Sequence, residues 1–227
     1  IDTLLRHRAK AKESTILNDL QLEDGHRVKP YALLTMHRPS NVDDPRVFSS
    51  MLESFLSLSQ HMPIIFPAHP RTLKQIQEAD LGDYFVDHCT NGPEPWDARV
   101  RIRLVPPLGY LDFLQLMSHA HAVLTDSGGV QEETTILGVP CITLRETTER
   151  PVTLTHGTNV LVGADSRRII ETFSRLFCEA RQSHSPPRFW DGKAADRMVQ
   201  ILAGRKKGYL FPSAPRIEPL VADGQAP

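Results

Sequence analysis

Apolar residues come along this chain in short bursts, separated by stretches with helical spacing. Tyr31-Ala32-Leu33-Leu34-Thr35 is short, apolar and punctuated on both sides, the mark of a buried strand. From Val47 to Leu58 the apolar positions Val47, Met51, Phe55 and Leu58 share one helical face. Asp43-Asp44-Pro45 ahead of them supplies a cap and a proline suited to the first turn. The same alternation predicts strands over 63–66, 101–105, 122–125, 141–144 and 159–162. It predicts helices over 72–79, 110–120, 130–137, 166–180 and 193–203, with Gly138-Val139-Pro140 ending the one at 130–137. In the helix over 166–180, Ile169, Phe173, Leu176 and Phe177 form the inward face. The stretch from Tyr110 to Met117 reads as core. Residues 1–8 read as a helix entered from upstream. Between Asp80 and Asp97 the rhythm breaks at Gly82, Gly92, Pro93 and Pro95, so a loop or insertion is expected there.

Strands alternating with helices predict an α/β fold, a Rossmann-like parallel sheet flanked by helices on both faces. One such domain spans 1–203. The basic, then proline-rich segment 204–227 is expected to be a disordered tail. Parallel sheets of this kind take ligands at the carboxyl ends of their strands, so the loops leaving strands carry the interest.

Composition narrows the function. The 227 residues carry 26 Lys+Arg against 27 Asp+Glu, a net charge of −1, so no chain-wide basic field holds nucleic acid. The longest apolar runs, such as Ile64-Ile65-Phe66, are far too short to cross a bilayer. Cys89, Cys141 and Cys178 are too few and too scattered for a disulfide framework or a thiolate zinc site. They read as reduced thiols in a cytoplasmic protein. No His-x-x-x-His spacing falls on a helix, and His119-Ala120-His121 reads as structural, so no metal is expected. The opening at Ile1 reads as the middle of a longer protein.

Four strand exits carry polar chemistry. Leu124-Thr125-Asp126-Ser127-Gly128-Gly129-Val130-Gln131-Glu132-Glu133 runs from a strand through Ser-Gly-Gly into a helix. The glycines let a ligand approach the backbone, and the free helix N–H groups favour a phosphate. Ser127 adds a hydroxyl, and Glu132 and Glu133, expected in the first helical turn, suit two ribose hydroxyls. A tight turn with a serine cap explains the same pattern equally well. The segment is neither a nucleophile elbow nor a P-loop, because Thr125 replaces the first glycine of the one and no Gly-Lys-Ser/Thr follows for the other. His37-Arg38 and His69-Pro70-Arg71 each follow a strand and offer an imidazole and a guanidinium. Arg145-Glu146-Thr147-Thr148-Glu149-Arg150-Pro151 follows another, where Arg145 or Arg150 suits a diphosphate and an exposed loop with local ion pairs is the plainer reading.

Together these segments resemble the non-hydrolysing UDP-N-acetylglucosamine 2-epimerases. The resemblance rests on Thr35-Met36-His37-Arg38, Phe66-Pro67-Ala68-His69-Pro70-Arg71, Asp126-Ser127-Gly128-Gly129-Val130-Gln131-Glu132-Glu133 and Glu146-Thr147-Thr148-Glu149-Arg150-Pro151. It covers most of 1–203. It implies one half of a GT-B-type two-domain fold, the C-terminal, UDP-binding half, with a missing N-terminal domain upstream. It implies interconversion of UDP-GlcNAc and UDP-ManNAc by elimination and re-addition of UDP, without metal or cofactor. The family's principal acid and base carboxylates belong to the upstream half, so this chain is expected to bind without turnover. The resemblance puts Ser127, Gly128 and Gly129 on the diphosphate, Glu133 on the ribose and Phe113 by the uracil. It puts catalytic His37 at the phosphate or sugar and Arg150 near the nucleotide, with Arg38 and His69 near a second, regulatory substrate site. It also implies a homodimer. Ser40, Leu108 and residues 83–99 depart from the family pattern and leave the exact UDP-amino sugar open. The nucleotide half of a GT-B glycosyltransferase, or a hydrolysing or modified UDP-amino-sugar 2-epimerase, are the alternatives.

Overall fold

The short apolar runs become strands because helices cover both faces of the sheet they build. The computed structural model describes residues 1–25, 27–87, 102–178 and 185–203. The chain opens with α1 (Asp2–Ala11), α2 (Ile16–Asp19) and the short strands β1 (Glu23–Asp24) and β2 (Arg27–Val28). There follow β3 (Ala32–Thr35), α3 (Pro39–Val42), α4 (Pro45–Ser59), β4 (Ile64–Pro67) and α5 (Pro70–Glu78). After a 3-10 turn over Gly82–Tyr84 come β5 (Phe85–Asp87), β6 (Ile102–Val105), α6 (Tyr110–His119), β7 (Ala122–Thr125), α7 (Gly128–Leu137) and β8 (Cys141–Thr143). The last elements are α8 (Val152–Thr155), β9 (Asn159–Leu161), α9 (Ser166–Cys178) and α10 (Ala194–Leu202). β1 and β2 pair with each other, antiparallel. The other seven strands form one sheet in the order β5-β6-β4-β3-β7-β8-β9, and every pairing in it is parallel.

Successive residues of a strand face opposite ways, and the buried residues sort accordingly. Leu34, Phe66, Leu124 and Ile142 face α4 and α9, packing with Phe48, Met51, Phe55, Ile169 and Phe173. Leu33, Ile65 and Val123 face the other way, against Leu4, Leu17, Leu114 and Met117 of α1, α2 and α6. Tyr31, fully buried in this second core, satisfies its hydroxyl on the Leu116 carbonyl at 2.6 Å. The predicted α4 start is present: Asp44 caps the helix by accepting the Arg46 N–H at 2.9 Å, with Pro45 in the first turn. Gly138 ends α7 with φ +67°, the left-handed region glycine adopts without strain.

Four expectations change. The break after Asp80 contains β5, an edge strand pairing with β6. Residues 88–97 of that predicted loop, Cys89 among them, lie outside the described residues, as do residue 101 of the predicted strand, residues 179–180 of the predicted helix and the tail 204–227. α7 begins at Gly128 rather than at 130, which moves Glu132 and Glu133 out of the first turn into the second. Phe177 is 45 % exposed rather than inward, lying beside His121 with ring centroids 5.4 Å apart and the rings tilted by 50°. Tyr110, predicted as core, is 38 % exposed, because it stands at the loop end of α6 where the sheet no longer covers it.

Candidate nucleotide site at the sheet switch point

The strand order reverses direction between β3 and β7. From β3 the chain builds outwards through β4 and β6, then returns past β3 to lay down β7, β8 and β9. Loops leaving β3 and β7 therefore diverge and leave a crevice at their carboxyl ends. His37 and Arg38 leave β3 there, and Asp126 and Ser127 leave β7.

Asp126 draws the two loops together. Its carboxylate is fully buried and accepts the backbone N–H of Arg38 at 2.8 Å and of His37 at 3.0 Å, and the Asn41 amide at 3.2 Å. His37 Nδ1 lies 3.1 Å from the other oxygen, and Arg38 Nε donates to the Asp126 carbonyl at 2.9 Å. Burial pushes the Asp126 pKa up, but the bonds from the His37 ring and the two backbone N–H groups outweigh it and leave the carboxyl below its ordinary range. The same contact raises the pKa of His37, against partial burial and the nearby Arg38 charge. Asn41 also donates to the Leu144 carbonyl at 3.0 Å, so the exit of β8 is tied into the same knot. Sequence reasoning named Asp126 within its motif and gave it no role. The only signal was a carboxylate at the mouth of an apolar strand, where burial demands partners.

At the head of α7, Ser127 occupies the cap position, but its hydroxyl makes no capping bond. A cap is therefore not what serine does here. Gly129 is exposed, and a Cβ built on it would meet nothing within 4 Å. A Cβ on Gly128 would meet only Glu149 Oε2, at 3.9 Å. Neither glycine has a positive φ. Neither backbone strain nor crowding inside the chain requires glycine at these two positions, and both leave the helix terminus bare. Glu133, one turn further on, accepts the Tyr110 hydroxyl at 2.9 Å. Burial raises the Glu133 pKa and the Tyr110 bond partly offsets it; the Tyr110 pKa rises through burial and the neighbouring carboxylate.

The rim carries paired charges. Arg145 grips Glu149 with two bonds of 2.7 Å, and this holds the Glu149 pKa at about 2. Arg150 Nε lies 2.5 Å from Glu132 Oε1. Beneath them, fully buried Gln131 accepts from Thr148 at 2.6 Å and from Asn159 at 3.1 Å, and donates to the Ser127 carbonyl at 3.3 Å. This fastens the Arg145–Pro151 loop to α7. His69 caps α5, its Nδ1 accepting the Arg71 N–H at 3.2 Å, and its ring centroid is 6.2 Å from that of His37. Phe113 is half-buried on α6, packed against the second core. The fold thus brings His37, Arg38, Ser127, Gly128 and Glu149 to one crevice with His69 beside it. Glu133 lies further along α7 with Tyr110. Among the described residues no group of three or more His, Cys, Asp or Glu side chains is arranged to hold a metal ion. No described helix is long and apolar enough to cross a membrane.

The family profile of UDP-N-acetylglucosamine 2-epimerase matches residues 1–203. The UDP-N-acetylglucosamine 2-epimerase of Methanocaldococcus jannaschii is 40% identical over 174 residues, 76% of this chain and 44% of that protein. The enzyme of the same name from Methanococcus maripaludis is 39% identical over 179 residues, 78% of this chain and 45% of its own length. The crystal structure of the M. jannaschii protein in complex with UDP-GlcNAc and UDP superposes with a TM-score of 0.74 at 36% identity, covering 89% of this chain and 52% of that one. This chain spans about half the length of the curated relatives it matches, and its α/β sheet corresponds to one half of their GT-B-type fold. By profile, identity and fold, the chain belongs to the UDP-N-acetylglucosamine 2-epimerase family.

Proposed function

We propose that this chain is the UDP-binding half of a non-hydrolysing UDP-N-acetylglucosamine 2-epimerase, one domain over 1–203 that binds a UDP-amino sugar and does not turn it over alone. One observation carries the reading. Two glycines head α7 at the sheet switch point with no conformational or packing reason of their own, beside the Arg145–Glu149 pair. A phosphate uses such a site through backbone N–H groups, the helix dipole and planar guanidinium forks. In this reading Ser127, Gly128 and Gly129 take the diphosphate, with Arg150 at the nucleotide. Glu133 takes the ribose hydroxyls and Phe113 the uracil. His37 faces the leaving phosphate, and Arg38 and His69 border a second substrate position.

In the complete parent, UDP leaves C1 of the sugar with the bonding electron pair as a proton leaves C2. The product pair is UDP and 2-acetamidoglucal. A proton then returns to the opposite face of C2 as UDP re-adds at C1, giving UDP-ManNAc. The reaction conserves atoms and electrons and needs no redox partner. Its acid and base carboxylates belong to the half upstream of this chain. A cytoplasmic setting and a homodimer of the parent are part of the proposal, the latter read by light scattering.

Calorimetric titration of the chain with UDP and UDP-GlcNAc tests the reading. Glu133→Ala is expected to weaken UDP at least tenfold, the loss of charged hydrogen bonds worth about 1.5–3 kcal/mol. An unchanged affinity in Glu133→Ala, or absence of UDP binding by both this chain and the full-length parent, overturns it.

A further inference from the structure

We propose that Asp126 is a positioning residue for His37, fixing its imidazole with protonated Nδ1 turned inward so that Nε2 is the nitrogen offered to the crevice. Apart from the ring itself, every partner of the Asp126 carboxylate is an obligate donor: two backbone N–H groups and an amide nitrogen. The Asn41 amide cannot be turned round, because its nitrogen also serves the Leu144 carbonyl. These donors favour the ionised carboxylate and hold its pKa below the ordinary range, so at neutral pH it carries no proton to give the one possible acceptor beside it, the His37 ring. A ring nitrogen 3.1 Å from an ionised carboxylate oxygen must carry the proton. Neutral His37 is then the Nδ1–H tautomer, and the charged ring, favoured by the same carboxylate, gains an Nε2–H donor toward the crevice.

The backbone bonds make this orientation rigid. The carboxylate that holds the ring also holds the N–H of His37 itself and of Arg38. Ring and main chain are therefore clamped to one buried group, and side-chain rotation is not the only freedom removed. Two other charged or titratable groups face the ring, Arg38 from its own loop and His69 from the β4 exit. Arg38 opposes the ring's charge. His69 uses Nδ1 as an acceptor for the α5 cap, so when neutral it carries its proton on Nε2, the opposite tautomer. Both rings thus commit Nδ1 to the protein, His37 as donor and His69 as acceptor, and when neutral they differ in which nitrogen carries the proton. That His37 Nε2 acts on a nucleotide phosphate rests on the function proposed above; the tautomer does not.

Histidine-detected 15N–1H NMR of the 227-residue chain across mildly acidic to mildly alkaline pH reads this directly. Neutral His37 is expected as Nδ1–H, with a pKa above the ordinary value. In Asp126→Asn the carboxamide oxygen is retained by the backbone N–H groups and its NH2 faces the ring. His37 is then expected to switch to Nε2–H and its pKa to fall below that of the unsubstituted chain. Asn41→Ala removes a donor from the same carboxylate without touching the ring, and is expected to leave the Nδ1–H tautomer in place. A merely structural role for Asp126 moves stability and leaves the tautomer alone. Should Asp126→Asn fail to fold, the unsubstituted chain still decides: neutral His37 found as Nε2–H overturns the proposal, as does an unchanged tautomer in folded Asp126→Asn. Added UDP is expected to shift Nε2 far more than Nδ1. UDP binding without a shift at Nε2 overturns the use of that nitrogen, whereas absence of UDP binding with the Nδ1–H tautomer present overturns the nucleotide reading and upholds the positioning.

Discussion

Two kinds of polar contact meet at the carboxyl edge of this sheet, and they differ in how many partners each group gathers. Asp126 and Gln131 are fully buried, and each collects bonds from several loops. Glu149, Glu132 and Asp43 lie at the rim, each held by one arginine and open to water. A buried polar group stripped of its partners loses its full solvation, whereas an ion pair in water is weak and exchangeable. The inner groups therefore set the geometry of the crevice. Of the outer arginines, Arg71 and Arg150 are half-exposed and their pairs are the easier to exchange, whereas Arg145 is 11 % exposed and held by two bonds.

The largest effect is expected from the inner set. Gln131→Leu leaves Thr148 and Asn159 each short of an acceptor and releases the Arg145–Pro151 loop from α7. A stability loss of about 2 kcal/mol is expected, read as a lower urea midpoint at unchanged slope. A loss no larger than that of a typical surface substitution would erase the distinction between the two sets. Gly129→Ala separates geometry from ligand. The new methyl meets nothing in the chain, so helix propensity should raise stability by up to about 1 kcal/mol. Calorimetry should at the same time show UDP weakened tenfold or more, because the methyl covers the helix terminus. Loss of stability would mean the glycine serves the fold after all.

The smallest effects are those of pH, and their signs differ between the two sets. His37 has a raised pKa in the folded chain, so its bond to Asp126 contributes fully below the ordinary value of 6.5 and is lost as pH rises through the raised one. The gap in thermal midpoint between the unsubstituted chain and His37→Gln should shrink as pH moves from mildly acidic to alkaline. Glu149 behaves oppositely. Its contribution is present above 4.5 and disappears as pH falls through about 2, so Glu149→Gln should match the unsubstituted chain only in strong acid. A constant His37→Gln gap across neutrality would mean that the His37 ring does not lean on the buried Asp126 carboxylate.

The same contrast explains what could be read from the sequence. Elements whose burial is periodic were legible: the strands over 122–125 and 141–144 and the helix over 47–58 agree with β7, β8 and α4 to within a residue or two. So was the grouping of His37, Arg38, Ser127 and Gly128, because all leave strands of one parallel sheet. Asp126 was not legible, since its donors lie on a loop remote in sequence and no local pattern announces a shared carboxylate. The start of α7 was misplaced because two glycines argue against a helix by propensity, and only the ligand edge of a parallel sheet favours one there. β5 was missed because Gly82 and the prolines beyond it mark a loop, while an edge strand of three residues leaves almost no periodic trace. Tyr110 read as core because its helix is apolar, yet its hydroxyl is committed to Glu133.

The pairing of β3 with β7 joins Leu33 to Val123, with three other strands laid down in between. Closing so wide a loop is entropically slow, and contacts of this kind form late as a chain folds. The crevice lies on that seam, so it exists only once the seam has zipped. A ligand seated there binds the finished chain and none of its precursors, and each tenfold excess over its dissociation constant deepens the native well by about 1.4 kcal/mol. Nucleotide added during refolding should therefore raise the final yield through mass action without hastening the earlier steps.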